Sequence, residues 1–331
     1  QRYFKSNLPT SNTATFIKST TGTGKTTNLV MWLEELKDQG AICLGYRNTL
    51  LLQWCAKADF YHLHEHDGLN LIGWSKSRIA LCVDSLGRFK PSDFEGKILI
   101  LDEVCSVIRH ALFSQTVRNR EQILNLLGEA IRRCDRLICL DGMMADWVVD
   151  YITAFCPDKK IETIENTWKN NKAPVNFLMG TEIDGQLKVN DRSPWLDELL
   201  NLAPVPAIGL DSQIFAESLD NLLSDRGYNV LRVDSKTVNE KAVKEFLGGD
   251  GTRDRDSDQH ISPCDHYLTK YKPDVLIYTP SAESGVDVSI SDYFSHHFCF
   301  FFGVLEVDAI LQLMARIRDV NCPKYLWCKQ W

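Results

Sequence analysis

The chain has 331 residues, of which 44% are hydrophobic and 24% are charged, and its formal net charge is −7. This composition is typical of a globular protein, and the length suits two domains that each bury a core. The acidic balance argues against a surface that is basic all over, although a local groove of donors could still bind nucleic acid. No apolar run approaches the roughly 20 residues of a membrane span, so we expect no membrane partner.

The 11 cysteines are scattered and form no C-x-x-C pair, a pattern that indicates reduced thiols and a cytoplasmic protein. The N-terminal region shows no secretory signal. Because the sequence begins with Gln1 instead of Met, we expect a fragment or a processed chain.

The first functional pattern is the stretch STTGTGKTT, which begins at Ser19 between a short apolar run and a helical pattern. A glycine-rich turn between a strand and a helix directs backbone N–H groups at phosphate oxygens. Lys25 would reach the β- and γ-phosphates of a nucleotide, and the Thr26 hydroxyl would ligate Mg²⁺. The predicted nucleotide-binding residues are Thr21, Gly22, Thr23, Gly24, Lys25, Thr26 and Thr27. The Lys-Thr pair and the flanking elements disfavour the alternative, a turn without a ligand.

Apolar segments that alternate with helical patterns predict an α/β fold with mostly parallel sheets. The predicted strands are residues 14–17, 41–46, 78–83, 97–101, 136–140, 159–164, 205–210, 228–233, 274–278 and 297–302. The polar, turn-rich stretch 166–174 separates two halves of this pattern, which predicts one domain over residues 1–170 and another over 171–331.

A carboxylate pair, Asp102 and Glu103, follows the continuous apolar run 97–101. Such a run indicates a strand buried on both faces, and α/β sheets bind ligands at the carboxyl ends of their strands. We expect Asp102 to hold Mg²⁺ through water and Glu103 to orient and activate the attacking water. The alternative is a helix cap with an acid in the first turn.

The segment YHLHEHD at 61–67 is the one cluster with metal-like spacing. No cysteine pair or second cluster stands near it, so we expect a solvated loop instead of a zinc site.

The second half has no phosphate-binding turn, but it ends in a helical pattern with two arginines. In a two-lobed NTPase, an arginine from the second lobe would neutralise charge on the transferring phosphoryl group. Gln312 and Arg316 are four residues apart on a helix predicted to begin near Glu306, whereas Arg318 would be turned by about 200° from Arg316. This geometry favours Arg316, and Arg318 remains a second possibility if the helix ends between the two.

Together these motifs resemble a superfamily 2 helicase core. The matching stretches are STTGTGKT, GYRNTL, VDSL, DEVC, TPSAESGVDV and QLMARIRD, and the resemblance is closest to replication helicase-like proteins of cyanobacterial plasmids and more distant to the herpesvirus origin-binding protein. It implies two tandem RecA-like domains with ATP and Mg²⁺ in the cleft between them, and it adds Gly285 and Asp287 to the nucleotide site. The sequence departs from the family pattern in three places: Ala315 replaces a glycine, the second arginine, Arg318, stands one position early, and DGM at 141–143 replaces a triplet of small hydroxyl residues.

The resemblance also implies that nucleic acid, with DNA favoured, crosses the carboxyl ends of the strands in both domains. The predicted contacts are Tyr46, Arg47, Asn48, Ser85, Arg88, Ser212, Gln213, Ser235, Lys236, Thr279 and Ser281. Taken singly, each could equally be a helix cap or a turn residue. Their recurrence at strand ends in both halves favours the functional interpretation of the group.

The leading hypothesis is an ATP-driven DNA helicase or translocase in plasmid or phage replication, with replication proteins or flanking domains as further partners. A second hypothesis is an ATP-gated module that clamps an origin without unwinding it. A third, a degenerate core kept as a scaffold, is disfavoured by the intact Lys25, Asp102 and Glu103.

Overall fold

Parallel pairing of strands organises both halves of the protein. A computed structural model describes residues 3, 7, 9–20, 23–48, 51, 54–55, 58–63, 77–168, 173–202, 205–248, 262–280 and 286–329. The chain divides into two compact units, Gln1–Asn170 and Asn171–Trp331.

The first unit contains a seven-stranded sheet in the order β3-β4-β2-β5-β6-β1-β7, with every pairing parallel. The strands are β1 Thr13–Ser19, β2 Ala41–Gly45, β3 Tyr61–His62, β4 Arg78–Cys82, β5 Ile98–Asp102, β6 Arg136–Asp141 and β7 Lys160–Asn166. Its described α-helices are α1 Lys25–Glu35, α2 Val104–Phe113, α3 Arg120–Arg133 and α4 Asp146–Thr153, and 3-10 turns cover Val83–Arg88 and Pro91–Phe94.

Strand β5 shows why this sheet is covered on both faces. Ile98 and Ile100 belong to one apolar cluster, whereas Leu99 and Leu101 belong to another. Because successive side chains of a strand point to opposite faces, these are the cores on the two sides of the sheet. The carboxyl ends of the central strands therefore meet along one edge, where the polar residues that follow them come together.

The second unit repeats this plan with a six-stranded parallel sheet in the order β12-β13-β11-β14-β15-β8. The strands are β8 Val175–Leu178, β11 Pro206–Leu210, β12 Val230–Val233, β13 Val275–Tyr278, β14 His296–Phe301 and β15 Lys324–Cys328, and an antiparallel hairpin pairs β9 Thr181–Ile183 with β10 Gln186–Lys188. The described helices are α5 Ser193–Leu202, α6 Gln213–Asp225, α7 Lys241–Leu247, α8 Pro263–Tyr271 and α9 Val307–Met314.

The predicted α/β class with mostly parallel sheets is confirmed. The sequence patterns missed β3, the hairpin, β8 and β15. Strand β3, the hairpin strands and β8 are short or largely exposed and carry little apolar signal, whereas β15 is an inner strand that is partly buried. The expectation of a solvated loop at 61–67 was wrong for its start, because Tyr61 and His62 form β3 and His62 is only 4% exposed. Residues 64–67 of that segment and residues 169–172 of the 166–174 stretch lie outside the described residues.

Two further sequence expectations concern cysteines and membranes. All 11 cysteines are free thiols, and most of them are buried. Among the described residues, none of the helices combines the length and the apolar character needed to cross a membrane.

Gly209 in β11 allows tight packing inside the second unit. An added Cβ there would lie 3.0 Å from Leu313 Cδ2 and 3.1 Å from the Tyr278 hydroxyl oxygen. Both neighbours are fully buried, so neither can move without disturbing the core.

We therefore expect Gly209→Ala to destabilise the protein by about 1–3 kcal/mol through overpacking. Urea unfolding of the whole chain, followed by circular dichroism, measures the change. Gly87→Ala is the control, because its methyl group would meet Ile123 at an ordinary 3.5 Å and should change stability by less than about 0.5 kcal/mol. Equal stability of the two variants would contradict the packing argument.

Candidate active site

The turn between β1 and α1 is held by its own hydroxyl groups. Thr23 is almost fully buried, its Oγ1 lies 2.6 Å from Ser19 Oγ, and it donates to the Thr20 carbonyl at 2.6 Å. Gly24 caps the helix with a left-handed backbone, φ 76°, which a residue with a side chain adopts only with strain. These contacts place Lys25 as the first residue of α1.

Lys25 carries a positive charge into this turn. Its Nζ donates a hydrogen bond to the Ser19 carbonyl, and a Cβ on Gly142 would lie 3.9 Å from the same nitrogen. Burial lowers the pKa of Lys25, and nearby carboxylates oppose that shift. These carboxylates belong to Asp102, Asp141 and Glu103. A cation surrounded in this way suits the binding of a polyphosphate, which would supply further negative charge.

The carboxylate pair occupies the end of β5 and the start of α2. Trp54 Nε1 donates to Asp102 Oδ2 at 2.7 Å. Burial raises the pKa of Asp102, while the Trp54 hydrogen bond and the Lys25 charge act in the opposite direction. Glu103 precedes α2 with a left-handed backbone, φ 54° and ψ 56°, a conformation that is unfavourable for a residue with a Cβ and recurs at functional sites.

Asp141, at the end of β6, joins two parts of this site. Strand β6 lies between β5 and β1, and Asp141 is only 3% exposed. Its carboxylate accepts hydrogen bonds from the Cys105 N–H at 2.9 Å and the Met143 N–H at 2.8 Å. It thereby ties the first turn of α2 to the turn after β6. The sequence showed an acid at this strand end but did not reveal its role.

The two arginines of the second unit follow a helix that is shorter than expected. The predicted start near Glu306 is confirmed, but α9 ends at Met314. Ile317 forms a parallel bridge with Val288, whose N–H donates to the Arg316 carbonyl at 2.9 Å. Arg316 lies in the turn that closes α9, where its N–H donates to the Leu313 carbonyl at 3.1 Å, whereas the Arg318 N–H donates to the Val288 carbonyl at 2.9 Å. The rotation of about 200° expected for a continuous helix through both arginines therefore does not apply.

The partners of the two arginines differ. Arg318 makes a two-pronged ion pair with Asp287, with Nε 2.6 Å from Oδ1 and Nη2 2.7 Å from Oδ2. The buried Arg316 Nε has no hydrogen-bond partner among the described residues. Gln312 is half-buried in the last turn of α9, where its carbonyl accepts from the Ala315 N–H at 3.2 Å.

A half-buried lysine, Lys324, supports the segment that carries these arginines. Lys324 Nζ donates to the carbonyls of Met314 at 2.7 Å and Ile317 at 2.9 Å. Tyr278 Oη donates to the Leu313 carbonyl at 3.0 Å and lies 2.9 Å from His297 Nε2. Burial, followed by the Lys324 charge, lowers the pKa of His297 well below its ordinary value. No sequence pattern indicated these supports, because they join residues from three strands and a helix.

The predicted nucleic-acid residues of the first unit lie at the ends of neighbouring strands. Strands β2 and β4 pair so that Gly45 is opposite Cys82, and Tyr46 follows directly, with the Arg47 guanidinium 4.9 Å from its ring centroid. The other predicted residues on this edge are Asn48 and Arg88, which are exposed, and Ser85, which is half-buried.

In the second unit, several predicted contacts have structural partners. Ser212 accepts from the Phe215 N–H at 3.3 Å and thus caps α6, which is the alternative role considered for it. Gln213 donates to Asp234 at 2.7 Å and accepts from Ser235 at 3.0 Å. Two more of these residues are Lys236, paired with Glu217 at 2.5 Å, and Thr279, which is 2% exposed.

Four predicted site residues lie outside the described residues: Thr21, Gly22, Ser281 and Gly285. The remaining residues of the phosphate-binding stretch are Thr26, which is half-buried, and Thr27, which is exposed.

Comparison with known proteins identifies the family. The family described as "Origin of replication binding protein" matches residues 2–173, about half of the chain. The chain belongs to this family. An uncharacterized protein of Picosynechococcus sp. is 28% identical over 94% of this chain and 31% of its own length. The replication origin-binding protein of varicella-zoster virus is 26% identical over 58% of this chain and 24% of its own length.

These relatives are much longer than the region they share with this chain. A protein of Escherichia phage T5 named for replication origin binding is 24% identical over 88% of this chain and 30% of its own length. The chain thus spans less than a third of the curated relatives described here. The resemblance to herpesvirus origin-binding proteins is confirmed, and a cyanobacterial relative covers nearly the whole chain.

Solved helicase structures share the fold. Saccharomyces cerevisiae Dbp5 bound to RNA and ADP BeF3 matches 96% of this chain and 80% of its own, with a TM-score of 0.56 and 14% identity. Mycobacterium smegmatis helicase Lhr bound to ssDNA and AMP-PNP matches 96% of this chain and 44% of its own, with a TM-score of 0.60 and 13% identity. The two units are tandem RecA-like domains with a helicase-like fold, as the sequence motifs predicted.

The double hydrogen bond accepted by Asp141 leads to a prediction. In Asp141→Asn, one of the two accepting oxygens becomes an amide donor that faces a backbone N–H. We expect a loss of about 1–3 kcal/mol in unfolding free energy, because one buried N–H loses its acceptor. Urea unfolding measures the loss, and Asp150→Asn on the exposed face of α4 is the control. A stable Asp141→Asn protein would show that the carboxylate does not hold α2 to the turn after β6.

Proposed function

We propose that this chain is the ATP-hydrolysing core of a DNA helicase or translocase that acts in replication. The observation that carries the proposal is that the glycine-rich turn before Lys25 and the Asp102–Glu103 pair lie at the same edge of one sheet, with only β6 between their strands, where the carboxylate charges act on Lys25. A phosphate-binding turn beside two such carboxylates suits phosphoryl transfer to water. The family and the helicase-like fold support a role in nucleic-acid metabolism.

Each residue of the first unit has a proposed role. Lys25 and the turn residues Thr23, Gly24 and Thr27 would bind the phosphates of ATP. Thr26 and Asp102 would hold Mg²⁺, which fits their chemistry because Mg²⁺ prefers oxygen ligands. When bound, Mg²⁺ would neutralise charge on the phosphates. Glu103 would orient the attacking water and accept its proton.

The second unit would contribute the arginine chemistry. We propose Arg316 as the residue that neutralises charge on the phosphoryl group during transfer, because its Nε has no hydrogen-bond partner among the described residues. Arg318 instead holds the segment after α9 in position, because its Nε and Nη2 atoms both pair with the Asp287 carboxylate. Gln312 lies one helical turn before Arg316 and is proposed as a neighbour of the nucleotide.

The alternative function is an ATP-gated module that clamps a replication origin without unwinding it. The names of the viral relatives favour it, since they describe origin binding. In both cases the strand-end residues of the two units are the proposed nucleic-acid contacts. A strand-displacement assay with ATP separates the two functions, because only a helicase would release the complementary strand.

ATPase activity with and without single- and double-stranded DNA tests the proposed chemistry. We expect turnover that DNA stimulates.

Lys25→Ala should lose nucleotide binding together with turnover, because it removes the charge that faces the phosphates. Glu103→Gln should keep nucleotide binding but lose hydrolysis, because the amide fills the same space without accepting a proton. Hydrolysis at the parental rate by Glu103→Gln would refute the role of Glu103 in activating water.

The two arginines should differ in matched ATPase assays. We expect Arg316→Ala to lower turnover by about 10³-fold or more, with little change in ATP affinity. Arg318→Ala should lower turnover less and should destabilise the second unit, because the ion pair between Arg318 and Asp287 is lost. Asp287→Asn is the matched control and should reproduce the effects of Arg318→Ala. A nearly normal Arg316→Ala protein beside an inactive Arg318→Ala protein would reverse the assignment.

A further inference from the structure

Three side chains with metal-binding atoms meet in the first unit, away from the proposed nucleotide site. Cys82 is the last residue of β4, Asp84 lies in the 3-10 turn Val83–Arg88, and His110 lies in the last turn of α2. The Cys82 Sγ, one carboxylate oxygen of Asp84 and one ring nitrogen of His110 all lie within 4.8 Å of one another. All three residues are half-buried.

The donor set points to a particular class of ion. Thiolate, imidazole and carboxylate are the ligands of Zn²⁺, with bonds of about 2.0–2.3 Å. Three such bonds to one tetrahedral ion place their donor atoms roughly 3–4 Å apart. The three donor atoms lie within 4.8 Å of one another, so binding an ion would separate His110 Nε2 and Asp84 Oδ1, now 2.6 Å apart, and would draw all three donors around it.

We propose that Cys82, Asp84 and His110 form a Zn²⁺ site. Three protein ligands leave the fourth tetrahedral position to water or to another ligand, as at zinc sites that are not purely structural. All three residues lie in the part of the chain that the structure describes, and none of them belongs to the histidine-rich segment 61–67, for which the sequence predicts no metal.

A hydrogen bond between His110 and Asp84 alone would account for only two of the three residues. His110 Nε2 lies 2.6 Å from Asp84 Oδ1, an arrangement that also occurs in proteins without metals. The Cys82 Sγ also lies within 4.8 Å of the donor atoms of both other residues, so a third metal-binding atom belongs to the same cluster.

Thr116 supports the carboxylate from outside the cluster. Its Oγ1 donates to Asp84 Oδ2 at 2.9 Å, which leaves Oδ1 directed towards His110. Metal-ligating carboxylates are commonly oriented by a hydrogen bond of this kind. The support therefore favours an arrangement in which Asp84 offers one oxygen to the ion.

A bound ion would connect two functional elements of the same unit. The 3-10 turn Val83–Arg88 carries Ser85 and Arg88, two proposed nucleic-acid contacts, and α2 begins directly after Glu103. Zinc bridging this turn to α2 would restrict their relative motion. The proposal itself concerns binding of the ion and does not depend on the proposed ATPase activity.

Titration of the whole metal-free chain with Co²⁺ and Zn²⁺ tests the site. We expect one equivalent of Co²⁺ to produce the near-ultraviolet charge-transfer band of a cobalt–thiolate bond and the intense visible bands of four-coordinate cobalt. Zn²⁺ should displace the cobalt and raise the melting temperature, because it binds only the folded state.

Variants assign these signals to the three residues. Cys82→Ser should lose the charge-transfer band, and its Zn²⁺ affinity should fall by more than the roughly 10–100-fold typical of losing an outer hydrogen-bond partner. His110→Gln should lose the four-coordinate visible bands and the thermal shift. Cys328→Ser, which removes a half-buried thiol from the second unit, is the matched control and should behave like the parent protein.

Two results would overturn the proposal. The first is a parent protein that shows only the weak spectrum of hydrated cobalt and no thermal shift with Zn²⁺. The second is a tightly held ion whose spectrum and affinity are unchanged in Cys82→Ser and His110→Gln, which would place the metal elsewhere, for instance at the histidine-rich segment. Circular dichroism of each metal-free variant checks that lost binding does not come from lost folding.

Discussion

The proposed active site depends on one buried charge, the ammonium of Lys25. Burial disfavours this charge, and the carboxylates grouped around it oppose the cost. The same carboxylates are held by specific donors: Trp54 binds Asp102, and two backbone N–H groups bind Asp141. These contacts therefore hold the carboxylates around Lys25 in fixed positions. Preorganised charges of this kind need little rearrangement during a reaction.

In the second unit, the half-buried ammonium of Lys324 stabilises the end of a helix. Lys324 binds two carbonyls at and just beyond the end of α9, where a helix leaves its last carbonyls without intrahelical partners. Tyr278 binds a third, and the chain then becomes extended and pairs with Val288. The direction of Arg316 and Arg318 thus depends on how α9 ends, and the end of α9 depends on contacts with β13 and β15.

A polar residue at a strand end can cap the next helix, and it can also offer a polar group along the sheet edge. The sequence alone does not distinguish these two roles. Ser212 caps α6, while Gln213 joins Ser235 and Asp234 in one hydrogen-bonded group. Capping orients the helix start, and the remaining polar groups stay along the same sheet edge. A structural partner therefore does not argue against nucleic-acid contact, because a hydroxyl or amide can have more than one hydrogen-bond partner.

The sequence by itself determined the α/β class, the central strands, the glycine-rich turn before Lys25 and the Asp102–Glu103 pair, because each depends on residues close together in the chain. Apolar runs specify buried strands, and a glycine-rich turn before Lys25 specifies its own local geometry. Only the tertiary structure decided the role of Asp141, the end of α9 before Arg316 and Arg318, and the meeting of Cys82, Asp84 and His110. Those features join residues distant in sequence, and sheet order and helix ends, which no local pattern records, bring them together.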